Sequence, residues 1–107
     1  MQKRFTLVFD EVMVKQLKKV AKNQNIKHIL TKFFDKLELL GPDAGNLLDP
    51  QLAMYEIKSK HPPVRLYYKH KKETDEIYVF EFEMKTSEEK QKKTIGKLRH
   101  KATDLEP

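Results

Sequence analysis

The sequence predicts one α+β domain: an N-terminal strand, a helical hairpin, a three-stranded antiparallel meander completing one sheet, and a C-terminal helix. Three observations carry this. Apolar residues from Ile26 to Leu40 recur at helical spacing, those from Met54 to Lys85 alternate with polar ones, and turn residues separate the two regimes. No repeat, linker or change of charge divides residues 1–107.

Lys3 to Phe9 is the first expected strand, with Phe5, Leu7 and Phe9 alternating with Arg4, Thr6 and Val8. Asp10 follows as an N-cap. The expected first helix runs to about Lys22, with Met13, Leu17, Val20 and Ala21 on one stripe, until Asn23-Gln24-Asn25 breaks it. The second helix carries Ile26, Ile29, Leu30, Phe33, Phe34, Leu37 and Leu40 on one face, and Gly41-Pro42 stops it. Pro42 to Leu52 reads as a loop. Three strands follow, at Met54–Ser59, Val64–His70 and Glu76–Lys85, joined by His61-Pro62-Pro63 and by Lys71-Lys72-Glu73-Thr74-Asp75. Thr86 or Ser87 then caps a last helix over about 88–101. Only Ile95, Leu98 and Ala102 are there to be buried, so loose packing is expected.

Alternation along the meander predicts an apolar face of Tyr55, Ile57, Leu66, Tyr68, Tyr78, Phe80 and Phe82, packed on the helical hairpin. The opposite face carries Glu56, Lys58, Lys60, Arg65, Tyr67, Lys69, Glu81, Glu83 and Lys85, and is expected to face water. Lys58 and Arg65 lie on hairpin-linked strands, so their cationic heads can converge. Phosphate recognition needs several donors from different directions, and arginine can grip two oxygens at once.

The net charge is +6, which favours a polyanionic partner, most often nucleic acid. There are no cysteines, which excludes disulfides, thiolate metal sites and cysteine nucleophiles and suits a reducing cytoplasm. No signal peptide and no membrane span is read, so no membrane partner is expected. The four histidines lack metal-ligand spacing, and neither metal nor cofactor is expected. His61, beside Pro62-Pro63, and His70, ending the next strand, can approach each other in this reading. His28 and His100 are expected at the surface.

Four segments together are similar to the RelE/HigB toxin superfamily, nearest its phage-derived HigB-like branch. They are Phe5-Thr6-Leu7-Val8-Phe9-Asp10 before a Lys-rich helix, Leu39-Leu40-Gly41-Pro42 with Met54-Tyr55-Glu56-Ile57-Lys58, Val64-Arg65-Leu66-Tyr67-Tyr68, and Met84-Lys85-Thr86-Ser87. The resemblance implies a RelE-like fold and the toxin of a type II toxin–antitoxin pair. Such toxins are commonly metal-independent endoribonucleases that cut messenger RNA on the ribosome, inhibit translation, and are held inactive by a cognate antitoxin in a hetero-oligomer.

By this resemblance Lys58 is the general base or a phosphate ligand, Arg65 clamps the scissile phosphate, and Lys85 is a further basic catalytic position. Lys60, His61, Tyr67, Lys69, Lys90, Lys92 and Lys93 are the RNA-binding candidates, with Tyr67 able to stack a base. Two departures stand out. Nothing replaces the family's C-terminal tyrosine near Lys92. Glu81 and Glu83 add negative charge to the supposed RNA face, where they would accept a proton or offset Lys58 and Arg65. The alternatives are a gyrase-poisoning, ParE-like module, a non-catalytic nucleic-acid binder on the same fold, or an interaction protein whose sheet groove holds a peptide.

Overall fold

The structure, a computed structural model, describes residues 4–84 and 87–106. In chain order the elements are β1 (Thr6–Phe9), α1 (Glu11–Lys19), α2 (Gln24–Leu40), a 3-10 turn (Gly41–Ala44), β2 (Asn46–Asp49), β3 (Met54–Lys60), β4 (Pro63–Lys71), β5 (Glu76–Met84) and α3 (Glu88–Asp104). The strands form one sheet in the order β1-β5-β4-β3-β2. β1 runs parallel to β5, and the other neighbours are antiparallel.

The caps lie where their chemistry places them. Asp10 accepts from Val12 N–H at 2.9 Å and opens α1. Asn23, inside the cluster that breaks the first helix, accepts from Ile26 N–H at 3.1 Å and opens α2. Gly41 ends α2 at φ +54°, a region that favours glycine, and a Cβ there would lie 2.6 Å from the Phe5 ring. Ser87 caps α3 by accepting from Lys90 N–H at 3.2 Å. Thr86, the other expected cap, and Lys3, the expected start of the first strand, lie outside the described residues.

One core lies between the helical hairpin and the sheet. It holds Met13, Leu30, Phe33 and Leu37 against Ile57, Leu66, Tyr68, Ile77, Val79 and Phe82. Gln16 ties α1 to the sheet by donating to the Phe82 carbonyl at 2.8 Å and accepting from its N–H at 2.9 Å. A second core lies on the other face, where Leu98 and Ala102 of α3 cover Met54, Tyr67 and Phe80. The molecule is therefore three layers: hairpin, sheet, last helix.

Several expectations change here. Asn46–Asp49 is a fifth strand, where the sequence reads as loop. α1 stops at Lys19, and Ala21 is exposed. The register of β4 with β5 shifts after Tyr67, which pairs with Glu81 while Tyr68 pairs with Val79. This bulge breaks strict alternation. Ile77, Val79 and Phe82 face the hairpin, and Tyr78 and Phe80 face α3, so the expected set Tyr78, Phe80, Phe82 is divided. The polar face is not open to water. α3 lies across it, and Glu56, Tyr67, Lys69 and Glu81 are buried. α3 is docked, with Leu98 and Ala102 fully buried.

Candidate nucleic-acid interface

Two rows of side chains cross the α3 face of the sheet. Lys58, Arg65 and Glu83 are in register across β3, β4 and β5, and Glu56, Tyr67 and Glu81 form the next row. The second row lies under α3, and the first lies towards the end of the sheet where α3 begins. Arg65 reaches diagonally to Glu56, its Nη1 2.8 Å from one carboxylate oxygen and 3.3 Å from the other. Its Nε and second amino group have no partner among the described residues. Glu56 therefore aims the guanidinium without using up its fork.

The acidic residues of this face are engaged internally. Glu83 accepts from the Tyr67 hydroxyl at 2.5 Å and from the Thr94 hydroxyl at 2.9 Å. Burial, reinforced by the Glu83 carboxylate, pushes the Tyr67 hydroxyl well above the usual phenol range. Glu81 meets the Lys97 ammonium at 2.9 Å, off the hydrogen-bond direction. Lys58 and Lys60 are exposed and have no ion-pair partner among the described residues. Glu81 thus has a cationic partner of its own in Lys97, whereas Glu83 is held by neutral hydroxyls and keeps its charge next to Arg65 in the strand register.

Beyond the start of α3 the β3–β4 turn opens a cleft of about 370 Å³, lined by Lys58, Ser59, Lys60, His61 and Arg65 together with Pro63 and Val64. The Ser59 hydroxyl donates to the Pro62 carbonyl at 2.7 Å and braces the turn that carries His61. The cleft brings four nitrogen-bearing side chains together: Lys58, Lys60, His61 and Arg65. Lys90, Lys92 and Lys93 are exposed on the first turns of α3. That helix starts shortly after Met84, which pairs with Val64 in the cleft wall.

The other candidates are placed differently. Tyr67 is fully buried beneath α3, so its ring offers no stacking surface in this state. Lys69 is 3% exposed, its ammonium taken up by the Leu52 carbonyl and by Glu106. Burial follows from the face they share: it is polar in sequence but covered by the last helix. His70 lies at the far end of β4 from His61, 3.5 Å from Asp75. His28 and His100 are exposed. Lys85 lies outside the described residues. Among the described residues no group of three or more His, Asp or Glu side chains could hold a metal ion.

Sequence reasoning missed Glu56 as the partner of Arg65 and Thr94 as a donor to Glu83. Glu56 stood two positions from Lys58 on the same face, which was a usable signal. Thr94 lies one helical turn before Leu98, on the stripe continued by Ala102.

A parallel-paired N-terminal strand, a helical hairpin on one face of an antiparallel meander and a closing helix on the other make up a fold shared with solved RelE structures. The isolated E. coli RelE toxin in its crystal structure superposes with a TM-score of 0.62 and 22% identity, covering 89% of this chain and 99% of that one. The toxin of the intact E. coli RelBE toxin–antitoxin complex gives 0.54 and 21%, over 78% and 100%. A RelE mutant bound to an antitoxin RelB peptide gives 0.51 and 22%, over 84% and 93%. At these identities the likeness establishes the fold. No protein-family model matches the sequence, and no curated protein matches it.

Proposed function

We propose that this protein is the toxin of a type II toxin–antitoxin pair, of the HigB-like branch, and that it cleaves messenger RNA in the cytoplasm, on the ribosome. The observation that carries the reading is the cleft where Lys58, Lys60, His61 and Arg65 meet on a RelE-type fold. The net charge of +6 supports a polyanionic substrate. The cognate antitoxin is its inhibitory partner in this reading, by analogy with the RelE chains solved with RelB.

The chemistry needs no metal. The ribose 2′-oxygen attacks the adjacent phosphorus, the bond to the 5′-oxygen breaks, and the products are a cyclic phosphate and a 5′-hydroxyl. The 2′-hydroxyl proton passes to a base, and a proton is returned to the leaving 5′-oxygen. Arg65 clamps the phosphate and stabilises the charge that develops on it, with Lys58 beside it and Lys85 completing the set. His61 lines the same cleft and is the type of side chain that exchanges protons near neutral pH. Lys60, Lys90, Lys92 and Lys93 hold the flanking backbone.

The test is induced expression with mapping of messenger RNA ends, comparing wild type with Lys58→Gln and Arg65→Ala. Lys58 is exposed and unpaired among the described residues, so its variant leaves the fold intact. Loss of Arg65 strands the buried Glu56, so that variant needs a folding control. Each change is expected to lower cleavage by about 100-fold. Growth arrest with intact transcripts would overturn the ribonuclease reading. It would favour the second one, a gyrase-poisoning or non-catalytic nucleic-acid binder, which the Arg65–Glu56 pair supports because the carboxylate offsets part of the charge that would stabilise the transition state while leaving the rest of the guanidinium free to bind.

A further inference from the structure

At the opposite end of β4 from the cationic cleft lies a second cavity, of about 430 Å³. Its cationic wall is Lys69, Lys71 and Lys72, with His70 beside them, and its acidic groups are Glu73 and Glu106. The Lys69 side chain is 4% exposed. Its ammonium donates to the Leu52 carbonyl at 2.5 Å and to the Glu106 carboxylate at 2.6 Å. An ammonium has three N–H donors, and the third has no acceptor among the described residues. Burying a charge is costly unless its hydrogen-bonding capacity is met, so Lys69, which lines the cavity, can take one further acceptor there.

The occupant that is present is only partly enclosed. Glu106 lies beyond the last residue of α3, and its side chain is 40% exposed. Its backbone is tied back by one bond, N–H to the Thr103 carbonyl at 3.1 Å. Around it the charge balance is positive. Lys72 is exposed and unpaired among the described residues, and Lys71 meets Glu76 only at 3.9 Å. Pro50, Ala53 and Leu105 add an apolar wall.

We propose that this cavity receives a carboxylate side chain from an acidic segment of a protein partner, and that Glu106 fills it in the free chain. The present ligand is itself a carboxylate next to an apolar residue, Leu105, that packs against the second core. A segment with an acidic residue beside an apolar one would match both walls. A phosphodiester backbone would leave the apolar wall unused. The proposal does not depend on RNA cleavage, since none of these residues lines the Lys58–Arg65 cleft.

The test uses the full chain and a fluorescein-labelled octapeptide of alternating Leu and Glu, with the Leu–Gln peptide as reference, read by anisotropy. Glu106→Gln removes the internal competitor and is expected to bind the Leu–Glu peptide about tenfold more tightly than wild type. Lys69→Met is expected to bind it no better than the Leu–Gln peptide. Lys15→Gln, an equal loss of charge on α1, is expected to bind as wild type does. If Lys69→Met fails to fold by circular dichroism, the comparison of Glu106→Gln with wild type decides alone. Equal affinity of those two overturns the proposal. So does an oligoribonucleotide that binds the cavity more tightly than the peptide and gains from Glu106→Gln, which would assign the site to phosphate.

Discussion

Leu98→Ala tests whether the last helix is part of the folded core. Leu98 is fully buried in the core formed with Met54, Tyr67, Phe80 and Ala102. It is the largest α3 side chain buried there, and only Thr94 and Ala102 of that helix are buried beside it. Removing it leaves a cavity between a helix and a rigid sheet, where collapse is limited. Buried Leu→Ala changes cost about 2–5 kcal/mol, and about 3 kcal/mol is expected here. Total stabilities are about 5–15 kcal/mol, so a large share would be lost, with a melting shift of roughly 10–20 °C. Urea unfolding followed by far-ultraviolet circular dichroism and by tyrosine fluorescence reads this, since the chain has no tryptophan. Tyr67 lies under α3, so both signals should shift together. A loss within about 0.5 kcal/mol, the value for exposed positions, would refute the docking argument.

Two further outcomes depend on pH. Burial raises the Asp10 carboxyl pKa, but hydrogen bonds from Tyr78, Val12 N–H and Lys101, with the Lys101 charge, outweigh it and hold the carboxyl below its ordinary range. Its stabilisation is therefore present above the unfolded carboxylate pKa and lost as pH falls through the folded value. Asp10→Asn should cost about 1–2 kcal/mol at neutral pH in urea unfolding, with the deficit shrinking below about pH 4. The tyrosines have the opposite sign. Burial raises the Tyr67, Tyr68 and Tyr78 hydroxyls, that of Tyr78 to about 12, with Asp10 adding to the last. Stability should hold below about pH 10 and fall as pH rises further, with tyrosinate absorbance appearing in step with unfolding. Tyrosinate formed without unfolding would contradict their burial.

What was legible in the sequence was local. The second helix announced itself because its apolar stripe, Asn23 cap and Gly41-Pro42 stop all act within a few residues. The same holds for β3 and β4, whose alternation survives intact: Leu66 and Tyr68 lie on the hairpin side as read. In β5 the alternation departs from the expected one over Ile77 to Phe80, because a bulge obeys partner geometry, which its own sequence does not display. β2 was missed for a related reason. It has four residues between turns, and only its pairing with β3 makes it a strand.

The site divides along the same line. Lys58, Lys60, His61 and Arg65 were singled out from strand position and a turn, and a hairpin brings such residues together by local geometry alone. Tyr67 and Lys69 were expected on that surface because their face is polar. Only the tertiary structure shows α3 laid across it, with Glu83, Glu56 and Glu106 as the carboxylate partners of Tyr67, Arg65 and Lys69.

The sequence by itself determined the order of elements, the hairpin core and the cationic turn, because helical periodicity, strand alternation and capping are properties of neighbouring residues. The tertiary structure alone decided which end of the meander stays open. A helix with few apolar residues gives little sign of where it docks. Here Thr94, Leu98 and Ala102 align over the second core, and ion pairs of Lys97, Arg99 and Lys101 with Glu81, Asp49 and Asp10 hold it there. The cover stops short of Lys58 and Arg65, so those cations face the cleft while Tyr67 and Lys69, on the same strand face, are enclosed.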